Sequence, residues 1–151
     1  MMEPMVVTVD IDAPPNEVWA VLKDVESWPS WTPIVQQVTR LDSGPFTVGS
    51  RARILQPRMR PAVWEVTRFE EGRRFTWMSR APVMTEADHL IEPRGTGSRA
   101  MLSIRFFGML SGMAGRMFRG LVQRYIGIEA ESLRQRCEGA RAGGAATNAH
   151  V

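Results

Sequence analysis

The chain changes its hydrophobic rhythm at Gly108, and that change limits its fold more than any other feature. Between Arg51 and Phe107 apolar and polar residues alternate in short runs, separated by turns rich in Gly and Pro. From Met109 to Cys137 the apolar residues recur at steps of three and four instead. Alternation sends successive side chains to opposite faces of a strand, whereas steps of three and four line one face of a helix. The sequence therefore predicts an antiparallel sheet followed by one long amphipathic helix, an α+β arrangement. A curved sheet with a helix lying across it leaves a concave apolar space between the two layers, suited to a small greasy ligand.

The strands can be placed by their turns. Met5 to Asp12 is β-branched-rich and alternates. Ala13-Pro14-Pro15 stops it, and Val18, Trp19, Val21, Leu22 and Val25 form the stripe of a short helix ending near Asp24. Pro29 and Pro33 limit the next segment to a tight helical turn, pinned by Trp28 and Trp31. Further strands are predicted at 34–41, 51–56, 62–69, 73–80, 85–92 and 99–107. On the long helix Leu110, Met113, Met117, Leu121, Tyr125 and Ile128 form the predicted sheet-facing stripe, with Arg116, Arg119, Arg124, Glu129 and Arg136 mostly on the other side. Gly112, Gly115, Gly120 and Gly127 are expected to let this helix approach the sheet closely or bend. From Gly139 no core-forming residue remains, so the domain is expected to span 1–138, with 139–151 a disordered tail.

Composition excludes several functions. The longest apolar runs are too short to span a bilayer. Cys137 is the single cysteine, which rules out an intramolecular disulfide and a cysteine-based zinc site, and predicts a cytoplasmic location. Of 2 histidines one, His150, falls in the tail, so no histidine-rich metal cluster can form and no metal or cofactor is expected. Neither a nucleophile elbow nor a phosphate loop occurs. A net charge of +3 carried almost wholly by arginine raises nucleic acid or an anionic membrane as partners. However, Arg51, Arg53, Arg58, Arg60, Arg68, Arg73, Arg74, Arg80 and Arg105 are spread among Glu65, Glu70, Glu71, Glu86 and Asp88. That spread predicts a solvated outer sheet face, no nucleic-acid partner and no stable membrane insertion.

Several segments, taken in order, carry a family resemblance: I-D-A-P-P-N-E-V-W (11–19), the Trp28/Trp31 pair, V-G-S-R (48–51), V-W-E-V-T (63–67), G-R-R-F-T-W (72–77), H-L-I-E-P (89–93), G-S-R (97–99) and the final helix. Across roughly residues 5–138 the chain resembles the START-like, helix-grip superfamily in its polyketide cyclase/dehydrase-like (SRPBCC) branch. The resemblance implies a seven-stranded antiparallel sheet gripping the C-terminal helix, with two short helices after the first strand. It also implies a hydrophobic cavity for lipids, polyketides, sterols or hormone-like molecules. Because the superfamily includes cyclases, carriers and receptors, it does not by itself imply catalysis.

Alternation and the helical stripe together give the expected ligand-lining set. The sheet contributes Trp64, Val66, Phe75, Trp77, Ser79, His89, Ile91, Leu102 and Ile104; the helix contributes Met113, Met117, Leu121 and Tyr125; Trp31 and Met59 lie at the rim. The sharpest candidate is His89, placed inward between Ala87 and Ile91 and able to polarise a carbonyl or move a proton. No orienting carboxylate is expected on its own strand face, because Glu86, Asp88 and Glu92 point the other way. The leading reading is a binder of a small lipid- or polyketide-like molecule, monomeric or homodimeric. The alternative is a polyketide cyclase/dehydratase with His89 as acid/base and Ser79 or Tyr125 as hydrogen-bonding help. A third is an interaction module whose cavity is collapsed around an aromatic core.

Overall fold

A computed structural model describes residues 3–149, with side chains up to Gly139. The first strand, β1 (Met5–Ile11), is followed by helix α1 (Pro15–Lys23) and a short 3-10 helix (Val25–Ser30). Six strands succeed them: β2 (Gln37–Arg40), β3 (Arg51–Leu55), β4 (Ala62–Glu70), β5 (Arg74–Ser79), β6 (Met84–Arg94) and β7 (Gly97–Phe107). Helix α2 (Ser111–Ala149) ends the described chain. The seven strands form one sheet in the order β1-β7-β6-β5-β4-β3-β2, each pair antiparallel. The first strand thus closes on the last, and the helix that follows β7 is thrown back across the concave face. This is the helix-grip fold that the sequence implies.

Local chemistry explains the corners. Pro15 opens α1, where its missing N–H costs nothing, and Val18, Trp19 and Leu22 are the face it buries. Trp28 then turns inward, its indole N–H donating to the Leu22 carbonyl at 2.9 Å. A side chain at Gly97 would meet the Ile11 carbonyl oxygen at 2.5 Å, so glycine is what allows β1 and β7 to join at their end. A bulge between Val66 and Arg68 increases the local bend of the β4–β5 hairpin.

The long helix is rotated from the sequence expectation. Its buried stripe runs through Ala114, Val122, Tyr125, Ile126, Glu129, Ala130, Leu133 and Cys137. Leu110, Met113 and Met117 face solvent, and Leu121 and Ile128 are only half-buried at the edge. The row Ala114, Val122 and Ile126 packs there against Met5 and Phe106, and burying that row turns Met113 and Met117 to the opposite side of the helix. A methyl group at Gly112, Gly120 or Gly127 would meet nothing within 4 Å, so these three do not serve close packing, whereas Gly115 is buried. Beyond residue 138 the backbone of 139–149 continues the helix, where the sequence suggests a disordered tail. Residues 150 and 151, His150 included, lie outside the described residues.

Two apolar clusters flank the concave face. The larger joins α1, the 3-10 helix and the second half of α2 around Phe75, Trp77 and Leu133. The smaller joins Met5, Phe106, Ala114, Val122 and Ile126 under the first half of α2. A space remains between them.

Candidate functional site

That space is a cavity of about 390 Å³, within the range of small-molecule sites. Trp64, Trp77, Ser79, Ala87, His89, Leu102 and Ile104 from the sheet form one wall. From α2 come Ala114, Phe118, Val122, Tyr125, Ile126 and Glu129, while Trp28, Ile34 and Val35 line one end. The β3–β4 loop supplies Arg58, Met59 and Arg60, and the β5–β6 loop supplies Ala81, Pro82 and Val83. Tyr125 donates its hydroxyl proton to the Pro57 carbonyl, tying the β3–β4 loop to the helix. Ser79 likewise points its hydroxyl at the Ala81 carbonyl, 3.4 Å away. Both oxygens keep lone pairs, so each can accept from a ligand better than it can donate.

Within these walls two buried ionisable side chains, His89 from the sheet and Glu129 from α2, face each other. His89 is 3% exposed, sandwiched by aromatic rings: Phe75 stacks on it at 4.3 Å, and Trp28 and Trp77 lie at 5.6 and 5.9 Å. Its Nδ1 is 3.3 Å from the carbonyl oxygen of Phe75, its cross-strand partner. A carbonyl can only accept, so this contact assigns the proton to Nδ1 and turns Nε2 toward the helix. Facing Nε2 at 3.7 Å is Oε1 of Glu129, a residue 7% exposed. That distance exceeds a hydrogen bond, and Glu129 Oε1 has no hydrogen-bond partner among the described residues. A buried carboxylate oxygen left unpaired is unfavourable by about 1–3 kcal/mol, so the surrounding fold must sustain it. The pair can hold a ligand hydroxyl or carbonyl, or pass a proton to one.

Residues 2–138 match the sequence profile of the family described as polyketide cyclase / dehydrase and lipid transport. The chain belongs to that family. Among curated proteins no sequence matches it. Solved structures share its fold at low identity. The Zhui aromatase/cyclase from Streptomyces sp. R1128 is 18% identical with a TM-score of 0.74, over 91% of this chain and 94% of that one. A Thermobifida fusca protein is 18% identical with a TM-score of 0.75, over 89% and 93%. The Aha1 dimer from Colwellia psychrerythraea is 15% identical with a TM-score of 0.68, over 91% and 97%.

In this polyketide cyclase/dehydrase-like chain, the expected lining residues divide into two groups. Met59, Trp64, Trp77, Ser79, His89, Leu102, Ile104 and Tyr125 do border the cavity. Val66, Phe75 and Ile91 are instead sealed in the larger core, where the α1 side of the sheet leaves no free volume. Trp31 packs edge-on against Trp28 at 5.9 Å, and it is Trp28 that reaches the cavity. Met113 and Met117, 57% and 72% exposed, lie on the outer face of α2, and Leu121 packs against the core edge. Glu129 is the residue that sequence reasoning set on the wrong face. Its position four residues beyond Tyr125, on the same helical row, was the available signal.

The other candidate groups are inert. Burial raises the Cys137 thiol to about 11, which keeps it protonated and unreactive at neutral pH. No cluster of three or more metal-ligating side chains occurs among the described residues. None of the described helices is long and apolar enough to cross a membrane.

Proposed function

We propose that this protein binds a small hydrophobic molecule, lipid- or polyketide-like, between the sheet and α2, with the molecule's one polar end at His89 and Glu129. The observation that carries this reading is a cavity with apolar walls that contains one buried, unpaired carboxylate oxygen facing an oriented imidazole. Buried polar groups in folded proteins are paired, so an unpaired one facing a cavity calls for a partner from outside. The unit responsible is the span 1–138, acting in the cytoplasm. Trp64 is the cleanest handle on binding, because it lines the cavity yet is only half-buried, so its truncation spares the core. With anilinonaphthalene sulfonate as an apolar probe, Trp64→Ala is expected to raise Kd at least about fivefold. An unchanged Kd would move the bound probe away from this cavity.

A second reading has a specific observation in its favour. Glu129 supplies the carboxylate that His89 lacks on its own strand, so the pair is equipped for cyclase/dehydratase chemistry. In such a step neutral His89 takes a proton from the carbon beside a ketone. The imidazolium so formed, stabilised by the Glu129 carboxylate, returns the proton to the departing hydroxyl, and water is released as the new C=C bond forms. Water loss from a β-hydroxyketone, followed by mass spectrometry, tests it. A rate equal to that of buffer alone leaves the binding reading standing by itself.

A further inference from the structure

We infer that the cavity selects molecules whose polar end donates a hydrogen bond, a hydroxyl or an ammonium group, and turns carboxylates away. This selectivity rests on the binding reading above and names the ligand class for that site. It follows from where the cavity's own protons go. Tyr125 gives its hydroxyl proton to the Pro57 carbonyl, and Ser79 points its own at the Ala81 carbonyl. Thr85 donates to the Val83 carbonyl at 2.9 Å. All three residues line the cavity. His89 likewise gives its Nδ1 proton to the Phe75 carbonyl. With these protons held by the main chain, what the four side chains keep for a ligand is lone pairs.

The ionisable pair sharpens the preference. His89 Nε2 carries no proton in this tautomer and faces Glu129 Oε1 at 3.7 Å, so neither atom can donate to the other. These are two acceptors side by side in residues 3% and 7% exposed, where little solvent screens them. No arginine or lysine forms an ion pair with Glu129 among the described residues. A hydroxyl brings the missing proton, and an ammonium group brings a proton together with a compensating charge. A carbonyl brings neither and is held only through a proton shared with the pair. A carboxylate sets a second negative charge beside a buried one, which is the least favourable arrangement of all.

The lining does contain cationic donors, Arg58 and Arg60, but both are exposed on the β3–β4 loop. An ion pair formed there is screened by water and adds little. Gln56, just after β3, donates one amide N–H to the Ile34 carbonyl at 3.2 Å and keeps the other at the same loop. A ligand carboxylate therefore finds charged donors only at the exposed loop, and none beside His89 and Glu129.

The test is calorimetric titration of the full chain at neutral pH with naphthol, naphthylmethylamine, methoxynaphthalene and naphthoate, all substituted at the same ring position. At least one of the two donors, the naphthol or the protonated amine, is expected to bind about tenfold more tightly than the methyl ether. The naphthoate is expected to bind no more tightly than the ether. A tighter naphthol assigns a neutral hydroxyl to the ligand, and a tighter amine assigns an ammonium group. Glu129→Gln replaces the charged acceptor by an amide that can donate, so the affinity of naphthoate relative to the better donor is expected to rise at least about tenfold. A residue that merely supports the fold would shift all four affinities together. Donors within about threefold of the ether, a naphthoate tighter than both donors, or a ratio that Glu129→Gln leaves unchanged would each overturn the proposal. Anilinonaphthalene sulfonate, whose sulfonate can rest at the exposed loop, separates the two claims. A chain that takes up this probe without favouring donors loses the selectivity alone, whereas a chain that takes up neither the probe nor any of the four loses the binding reading with it.

Discussion

Phe75→Ala is expected to lower the unfolding free energy by about 3–5 kcal/mol, measured as a shift of the denaturant midpoint at unchanged slope. Phe75 has 0% of its surface exposed and forms edge contacts with Phe46 and Trp77 at 5.2 Å. Beneath it Trp19 approaches at 6.3 Å, and above it His89 stacks at 4.3 Å. Removing the ring leaves a hole walled by other rings that cannot collapse, which places the cost at the upper end of large-to-small substitutions. The imidazole would also lose the plate that holds it flat. A loss below about 1 kcal/mol would mean that the site is not close-packed and that Phe75 borders free volume after all.

Glu129→Gln is expected to do the opposite to stability and more damage to function. The amide has nearly the same shape, and it removes a carboxylate oxygen that has no hydrogen bond. The fold should be unchanged or stabilised, by up to ~1–3 kcal/mol if the unpaired oxygen bears its full desolvation cost. Ligand affinity should fall, because the amide presents no negative charge to a ligand hydroxyl proton. If the protein has dehydratase turnover, the rate should fall by about 10²-fold or more, because the imidazolium that carries the proton loses the carboxylate beside it. A gain in stability together with a loss of function is the signature of a residue kept for its work rather than for folding. Thermal melts and probe titration of the same sample decide the matter. Lost stability with unchanged affinity would make Glu129 a structural residue.

The sheet was legible because alternation and turn chemistry both report on it. The β4–β5 hairpin follows from Glu70-Glu71-Gly72, and the inward facing of Trp64, Trp77 and His89 follows from counting by two. Helix α2 was legible in type and place but not in rotation. Its larger side chains suggested a stripe through Met113 and Met117, and nothing local reports that the row through Ala114, Val122 and Ile126 is the one that packs against Phe106 and the distant Met5. The same error hid Glu129, since a carboxylate on a helix is read as solvent-facing unless its row is already known to be buried. Val66, Phe75 and Ile91 share a face with true lining residues, and alternation cannot tell where along a strand packing ends and a cavity begins. Ion pairing on the outer sheet face was hidden for a related reason: it is a property of cross-strand neighbours, as in Arg74 beside Asp88, and not of sequence distance.

Native mass spectrometry of the protein purified from cells tests the central claim most directly. One apolar small molecule per chain is expected, released on denaturation and identified after extraction. It should be missing from Ala87→Phe, a variant that fills the cavity from the sheet wall where Ala87 sits across from Trp77 and Ile104. A wild-type protein of bare polypeptide mass that also fails to take up an apolar probe would contradict the account. An adduct retained unchanged by the filled variant would contradict it equally, because the ligand would then lie somewhere other than between sheet and helix.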